Sequence, residues 1–292
     1  MDTREATADR LLQTSLRLQY EPGIDIDWEA PLDPDLFWIP PERSSLYGTP
    51  LWEGLTHRQR VELTKHEVAS AAGAGLWFET ILMEMLIRFY YDADPTTKHA
   101  QYALTEVADE CRHSIMFGRL IDKAGCPVYR PGRFDVALGR FLKTTATGTH
   151  MYAAILIAEE ILDSFQREIM ADDSLQPLIR MVSRIHVIEE ARHIRFAKHE
   201  LARQVEAAGP ARLAYSRLVI ARAARSVVAN LVRPSVYTAV GIPARVGQQA
   251  ARANPHFQRT LRWSAARIVS YLSDLGLIGG PGRLLWARSG LL

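Results

Sequence analysis

Two short blocks of the chain combine the residue types and spacing of a metal site, and they recur at a fixed interval. Asp109-Glu110-Cys111-Arg112-His113 and Glu189-Glu190-Ala191-Arg192-His193 each contain Glu-x-x-His, 80 residues apart. A further glutamate precedes each block by the same 31 residues, Glu79 before Glu110 and Glu159 before Glu190. On a helix, residues i and i+3 point to one face, so Glu110 and His113 can hold one ion together, as can Glu190 and His193. His186 lies on the same stripe, four residues before Glu190 and seven before His193. It is either a third imidazole ligand or a donor to a ligand. Four carboxylates are balanced by two divalent cations. Carboxylate and imidazole donors with open positions suit iron that reacts with oxygen, with manganese as the alternative. Zinc drives no redox chemistry and takes fewer ligands. The candidate metal ligands are therefore Glu79, Glu110, His113, Glu159, His186, Glu190 and His193, and the dimetal centre itself would carry the chemistry.

Neighbouring acids are sorted by their surroundings. Glu79 has Gly75, Leu76, Leu82, Met83 and Leu86 at helical spacing, where an unpaired carboxylate is costly, whereas Glu84 neighbours Thr80, Arg88 and Tyr91. Glu159 shares a face with Ile155, Leu156 and Leu162, while Glu160 points about 100° away. The internal symmetry pairs Asp109 with His193 and Glu189 with His113, contacts that would fix the imidazole tautomers. Arg112 and Arg192 either hold those acids or make ordinary surface ion pairs. Tyr90, Tyr152, Phe89 and Phe165 lie near the ligand-bearing stretches and are core aromatics or substrate contacts.

These residues need four helices to position them. A long apolar helix runs from Thr56 to about Asp92 and stops at Asp92-Ala93-Asp94-Pro95. A second covers about Thr96 to Lys123 and closes on Ala124-Gly125-Cys126-Pro127. A third spans about 134–171 with an interruption near Gly148, and a fourth starts near the capping residues Asp172-Asp173-Ser174 and reaches Ala208-Gly209-Pro210. Three further helices fit 210–232, 243–253 and 255–275, and no run alternates with the period of a strand. The single glutamates fall on the first and third helices and the Glu-x-x-His blocks on the second and fourth, the order a duplicated helical hairpin leaves behind. The expected fold is all-α. A four-helix bundle over 56–208 follows a proline-rich, extended leader over 1–55 that wraps it. A basic helical extension over 209–292 packs on the bundle, and the whole forms a single domain.

Composition sets the outer limits. With 292 residues, 48% hydrophobic and 23% charged, the chain can bury a large core and is not disordered by default. Two cysteines, Cys111 and Cys126, are too few for a disulfide framework, and Cys111 reads as a small packing residue. The charged opening lacks an apolar stretch, and the arginines within 217–233 argue against a membrane span there, so no membrane association and a cytoplasmic location are expected. Residues 209–292 hold twelve Arg, no Lys and one acid, Asp274, which puts +11 on the tail and leaves −9 on residues 1–208. These arginines are scattered through helical apolar patterns without a recognition motif, so no nucleic acid is expected as partner.

The ligand set resembles that of the ferritin-like di-iron oxygenases, and within them the para-aminobenzoate N-oxygenase family. The specific feature is the extra histidine in Ile185-His186-Val187-Ile188-Glu189-Glu190-Ala191-Arg192-His193. The likeness covers about residues 60–205 and, more loosely, the C-terminal helices. It implies a ferritin-like bundle holding two Fe ions on the seven residues named above. With O2 as co-substrate, activated as a peroxo-diferric species, the implied reaction takes an aromatic amine through the hydroxylamine toward nitro. No flavin or nicotinamide motif is apparent, so an external electron donor or reductase is expected, and a homodimer is compatible with the sequence. Three alternatives remain at this stage: a di-iron oxygenase acting on a non-arylamine substrate, a ferritin-like ferroxidase for iron storage, and a metal-free helical binding protein. The leader and C-terminal extension weigh against storage, since a cage subunit needs little besides its helices. The inward-facing polar residues weigh against a metal-free core.

Overall fold

The structure, a computed structural model, describes residues 3–292. The chain forms α1 (Arg4–Arg17), α2 (Pro22–Asp25), α3 (Pro50–Glu53), α4 (His57–Tyr90), α5 (Lys98–Lys123) and α6 (Arg133–Thr145). It continues through α7 (Gly148–Ala171), α8 (Pro177–Glu206), α9 (Pro210–Leu231), α10 (Ala244–Ala253), α11 (Pro255–Asp274) and α12 (Gly282–Ser289), with short 3-10 turns at Pro41–Arg43 and Pro234–Val240. Among the described residues there is no strand, so the chain is all-α.

The long helices begin where the sequence supplies donors and acceptors for their free ends. Thr56 and Gln59 close a capping box on α4, Thr97 caps α5 through the Ala100 amide, and Thr147 and His150 bond reciprocally at the start of α7. The third run is broken as its glycine suggests: α6 ends before Ala146, and Gly148 opens α7 at φ +55°, a left-handed conformation that a side chain would strain. The fourth run differs from expectation. Asp172 accepts from the amide and hydroxyl of Ser174 in a local turn, and the helix itself waits for Pro177, whose fixed φ suits a first helical position.

α4 pairs with α5 and α7 with α8, and the two hairpins meet through α5·α8 and α4·α7 contacts. This is the duplicated arrangement of a ferritin-like bundle. α9 and α11 pack on α7, and α12 on α9, so the additional C-terminal helices cover one side of the bundle. On another side the leader inserts Trp28, Trp38 and Trp52 into a cluster with Leu63, Leu120 and Ile185. The leader is extended only in part, because residues 4–17 form α1, which lies on α5 and α8. Its buried stripe is Thr7, Ala8, Leu11 and Ser15, too small and polar to show as an apolar period in the sequence. α12 is likewise an addition to the expected elements. α4 is the one helix among the described residues long and apolar enough by composition to cross a membrane, but half of that stretch is buried inside the protein.

Candidate metal centre

The seven residues singled out by spacing converge at the middle of the four long helices. α4 contributes Glu79, α5 Glu110 and His113, α7 Glu159, and α8 His186, Glu190 and His193, and none exposes more than 4% of its surface. Ligand atoms of Glu110, His113, Glu190 and His193 all lie within 4.8 Å of one another. Two further groups, Glu79 with His113 and His186, and Glu159 with His186 and Glu190, meet the same limit and extend the cluster to all seven. His193 Nδ1 is 2.9 Å from Glu190 and 3.2 Å from Glu110, and His113 Nδ1 is 3.3 Å from each of the same two carboxylates. His186 Nε2 is 3.5 Å from Glu79 and 3.8 Å from Glu190.

The second nitrogen of each imidazole is held from outside. His113 Nε2 donates to Glu189 at 2.8 Å, and His193 Nε2 donates to Asp109 at 3.2 Å, the crossed pairing expected from the internal symmetry. Arg112 donates to Asp109, while Arg192 lies 3.5 Å from Asp109 and 3.7 Å from Glu189. The leader joins this outer layer: the Tyr20 amide donates to Glu189 at 3.1 Å and Arg192 donates to the Leu18 carbonyl at 3.1 Å. These contacts fix the ring orientations so that Nδ1 of His113, Nδ1 of His193 and Nε2 of His186 face the carboxylate cluster, where a bound cation would take their lone pairs.

Two contributors escape the spacing argument. Gln166, seven residues after Glu159, accepts from His186 Nδ1 at 2.7 Å. Glu106 occupies the place on α5 that His186 occupies on α8, 80 residues earlier and four before its Glu-x-x-His glutamate. It is 1% exposed, and burial pushes its carboxyl up to about 8, so it keeps a proton at neutral pH. The +80 offset from His186 could have found Glu106. Of the aromatic candidates, Tyr90 and Tyr152 hydrogen-bond each other at 3.1 Å as core residues, Phe89 packs edge-on against both, and Phe165 lines a cavity beside the centre.

The donor set fits cations. Glu79 Oε1, Glu190 Oε2 and His186 Nε2 are buried without a hydrogen-bond partner, an arrangement that costs free energy unless a positive charge faces it. Protons take that place on the bare protein. Burial alone would lower the pKa of His113 and His193, yet the surrounding carboxylates hold both well above the usual imidazole range. Glu190 and Glu110 are held low despite burial, Glu190 chiefly by the charge of His193 and Glu110 by hydrogen bonds from His113 and His193 against the opposing charge of Glu190. Glu159 is pushed well up, first by burial and then by the charges of Glu190 and Glu110. Metal loading must displace the extra protons of His113 and His193, so it is expected to release about two protons or more per pair of ions and to tighten as pH rises. Calorimetry in buffers of different ionisation enthalpy measures this; uptake without proton release would contradict the assignment.

The acids behind the histidines carry their own expectation. Burial raises the Asp109 carboxyl, but the hydrogen bond and charge of His193 outweigh it and keep the group below its ordinary value. Asp109→Asn, which keeps the shape and loses the charge, is expected to weaken metal affinity by about 10–100-fold with the fold intact. A chelator competition gives that number, and unchanged affinity would make Asp109 a packing residue only.

Comparison with known proteins agrees with the architecture. Residues 1–276 match the family described as P-aminobenzoate N-oxygenase AurF. Uncharacterized proteins of Mycobacterium bovis (Mb0909) and Mycobacterium tuberculosis (MT0908 and Rv0885) are each 28% identical over 294 aligned residues, covering 94% of this chain and 84% of the relative.

Proposed function

This chain belongs to the P-aminobenzoate N-oxygenase AurF family, and from that membership we propose that it is a di-iron oxygenase that converts an aromatic amine toward its hydroxylamine and nitro products. The family is one of oxygenases. The observation that carries the finer reading is the convergence of seven buried carboxylate and imidazole donors beside an apolar cavity. Two iron ions, when bound, supply the redox chemistry with O2, and manganese is the alternative metal. Electrons come from an external donor or reductase, and the reaction takes place in the cytoplasm.

The protein's own residues do the positioning. Glu79, Glu110, Glu159 and Glu190 would hold the ions with His113, His186 and His193, while Asp109, Glu189 and Gln166 keep the far imidazole protons in place. The cavity lies beside the centre: its lining residues Phe117 and Gln166 touch the far side of His186. The Phe117 ring lies 5.0 Å from that of His186, so the wall that receives a substrate ring also shields the ligands from water. A bound aryl ring there would place its amine at the metal end with no charged side chain of this wall competing for it.

The test is direct. Protein produced with iron, reduced and then exposed to oxygen with an arylamine should yield hydroxylamine and nitro products by mass spectrometry, at about two irons per chain. Oxidation of a non-arylamine with arylamines untouched would overturn the substrate reading. A ferric mineral core would overturn the oxygenase reading.

A further inference from the structure

The cavity beside the metal centre has a second polar end. It follows α4, where Glu67, Ala71, Gly75 and Glu79 succeed one another at four-residue steps and so share one stripe. Glu67, Ala71 and Gly75 all line it, the small side chains of Ala71 and Gly75 leaving the helix surface bare between them, and the cavity measures about 90 Å³. Gly75 marks the centre end, and Glu67 lies eight residues away, about 12 Å along the helix axis. That span exceeds one aromatic ring, so an aniline with its nitrogen at the centre needs a short side chain to reach Glu67.

Glu67 is 3% exposed. Its Oε1 accepts from the Ser45 amide at 2.9 Å and from the Ser45 hydroxyl at 2.5 Å, and Tyr237 backs that hydroxyl at 3.0 Å. Its Oε2 has no hydrogen-bond partner, and burial pushes the carboxyl up to about 7 against the opposing pull of Ser45 and the Ser44 hydroxyl. Ser183 Oγ, on the same cavity, is also buried without a partner. Arg43, the one cation on the lining among the described residues, is committed elsewhere: it binds Glu168 at 2.6 and 2.9 Å and stacks on Trp263 at 3.8 Å. A ligand carboxylate at this end would therefore meet an acid and no unspent positive charge, whereas a hydroxyl or amine would satisfy a buried acceptor.

We propose that Glu67 is a specificity-determining residue that accepts a hydrogen bond from a hydroxyl or amino group on the side chain of the arylamine substrate. This rests on the arylamine reading above and narrows it to donor-bearing arylamines, against the carboxylate-bearing compound in the family's name. Discrimination by an unpaired buried group is strong because the wrong ligand leaves it unsatisfied.

The test uses the iron-loaded protein without oxygen, so that binding is read apart from turnover. Calorimetry at pH 8.5, above the Glu67 value of about 7, compares 4-(2-hydroxyethyl)aniline and 4-(2-aminoethyl)aniline with 4-aminophenylacetate. The wild type should bind the first two at least about tenfold more tightly. Glu67→Gln keeps an oxygen for Ser45 but turns an amide N–H toward the cavity, so the ranking should reverse in favour of the carboxylate. Preference of the wild type for the carboxylate, or an unchanged ranking in Glu67→Gln, overturns the proposal; the wild-type ranking decides alone if the variant does not fold. If the three tails are N-oxygenated with equal kcat/KM, the arylamine function stands and the Glu67 assignment fails. If the ranking and its reversal appear but oxygen yields no hydroxylamine or nitro product, the binding site stands and the proposed reaction fails.

Discussion

Glu190→Ala is expected to reduce bound iron from two ions per chain to below one and to cut N-oxygenation by more than about 10³-fold. Glu190 is the carboxylate whose oxygen reaches all three imidazoles, at 2.9 Å from His193, 3.3 Å from His113 and 3.8 Å from His186. Removing it deletes the group through which both half-sites would share charge. A general loss of folding would give the same activity result, so the bare variant must be compared with the bare wild type. Glu190's charge pushes the Glu159 carboxyl up but is itself paired with His193 and His113, so its removal trades relieved repulsion for lost ion pairs, and the thermal stability of the bare variant is the control. Wild-type protein should gain thermal stability on iron loading, because a ligand that binds only the folded state stabilises it, and the variant should lose that gain. Two tightly held irons and turnover within a few-fold of wild type would refute Glu190 as the shared ligand.

The buried cluster of carboxylates and imidazoles is readable from the sequence because two periodicities overlap on it. Helical geometry forces Glu110 with His113, and Glu190 with His193, onto single faces. The 80-residue repeat then selects Glu79 and Glu159 over their acidic neighbours Glu84 and Glu160. In the structure Glu79 and Glu159 lie in the buried cluster, whereas Glu84 pairs with Lys143 at the surface and Glu160 turns to Lys198. The crossed contacts of Asp109 and Glu189 follow from the same symmetry. What escapes the sequence lacks a period. α1 buries small and polar residues, α8 takes its start from a proline rather than from the better capping residues before it, and Gln166 is one of many glutamines that could lie on a helix. Glu67 is the clearest case. Its meaning comes from Ser45 in the leader and Tyr237 in the C-terminal extension, separated from it by 22 and 170 residues, and no local pattern links the three.

His186→Ala should leave the helices in place and remove the feature that separates this centre from one with two histidines. His186 Nε2 is buried, has no hydrogen-bond partner and faces Glu79 at 3.5 Å, while Nδ1 is anchored on Gln166 at 2.7 Å. An alanine leaves Glu79 without its imidazole neighbour and orphans Gln166, so one of the two ions should be held by too few donors. Bound iron is expected to fall from two toward one per chain under a competing chelator, and turnover by more than about 100-fold. The companion variant Gln166→Ala keeps the imidazole but frees its orientation, and it should retain near-wild-type iron while losing about tenfold in turnover. The two variants separate ligation from positioning: a ligand role removes metal and activity together, whereas a positioning role spares the metal. If His186→Ala retains wild-type iron and turnover, His186 is a packing residue of α8, and the extra histidine has no part in the chemistry.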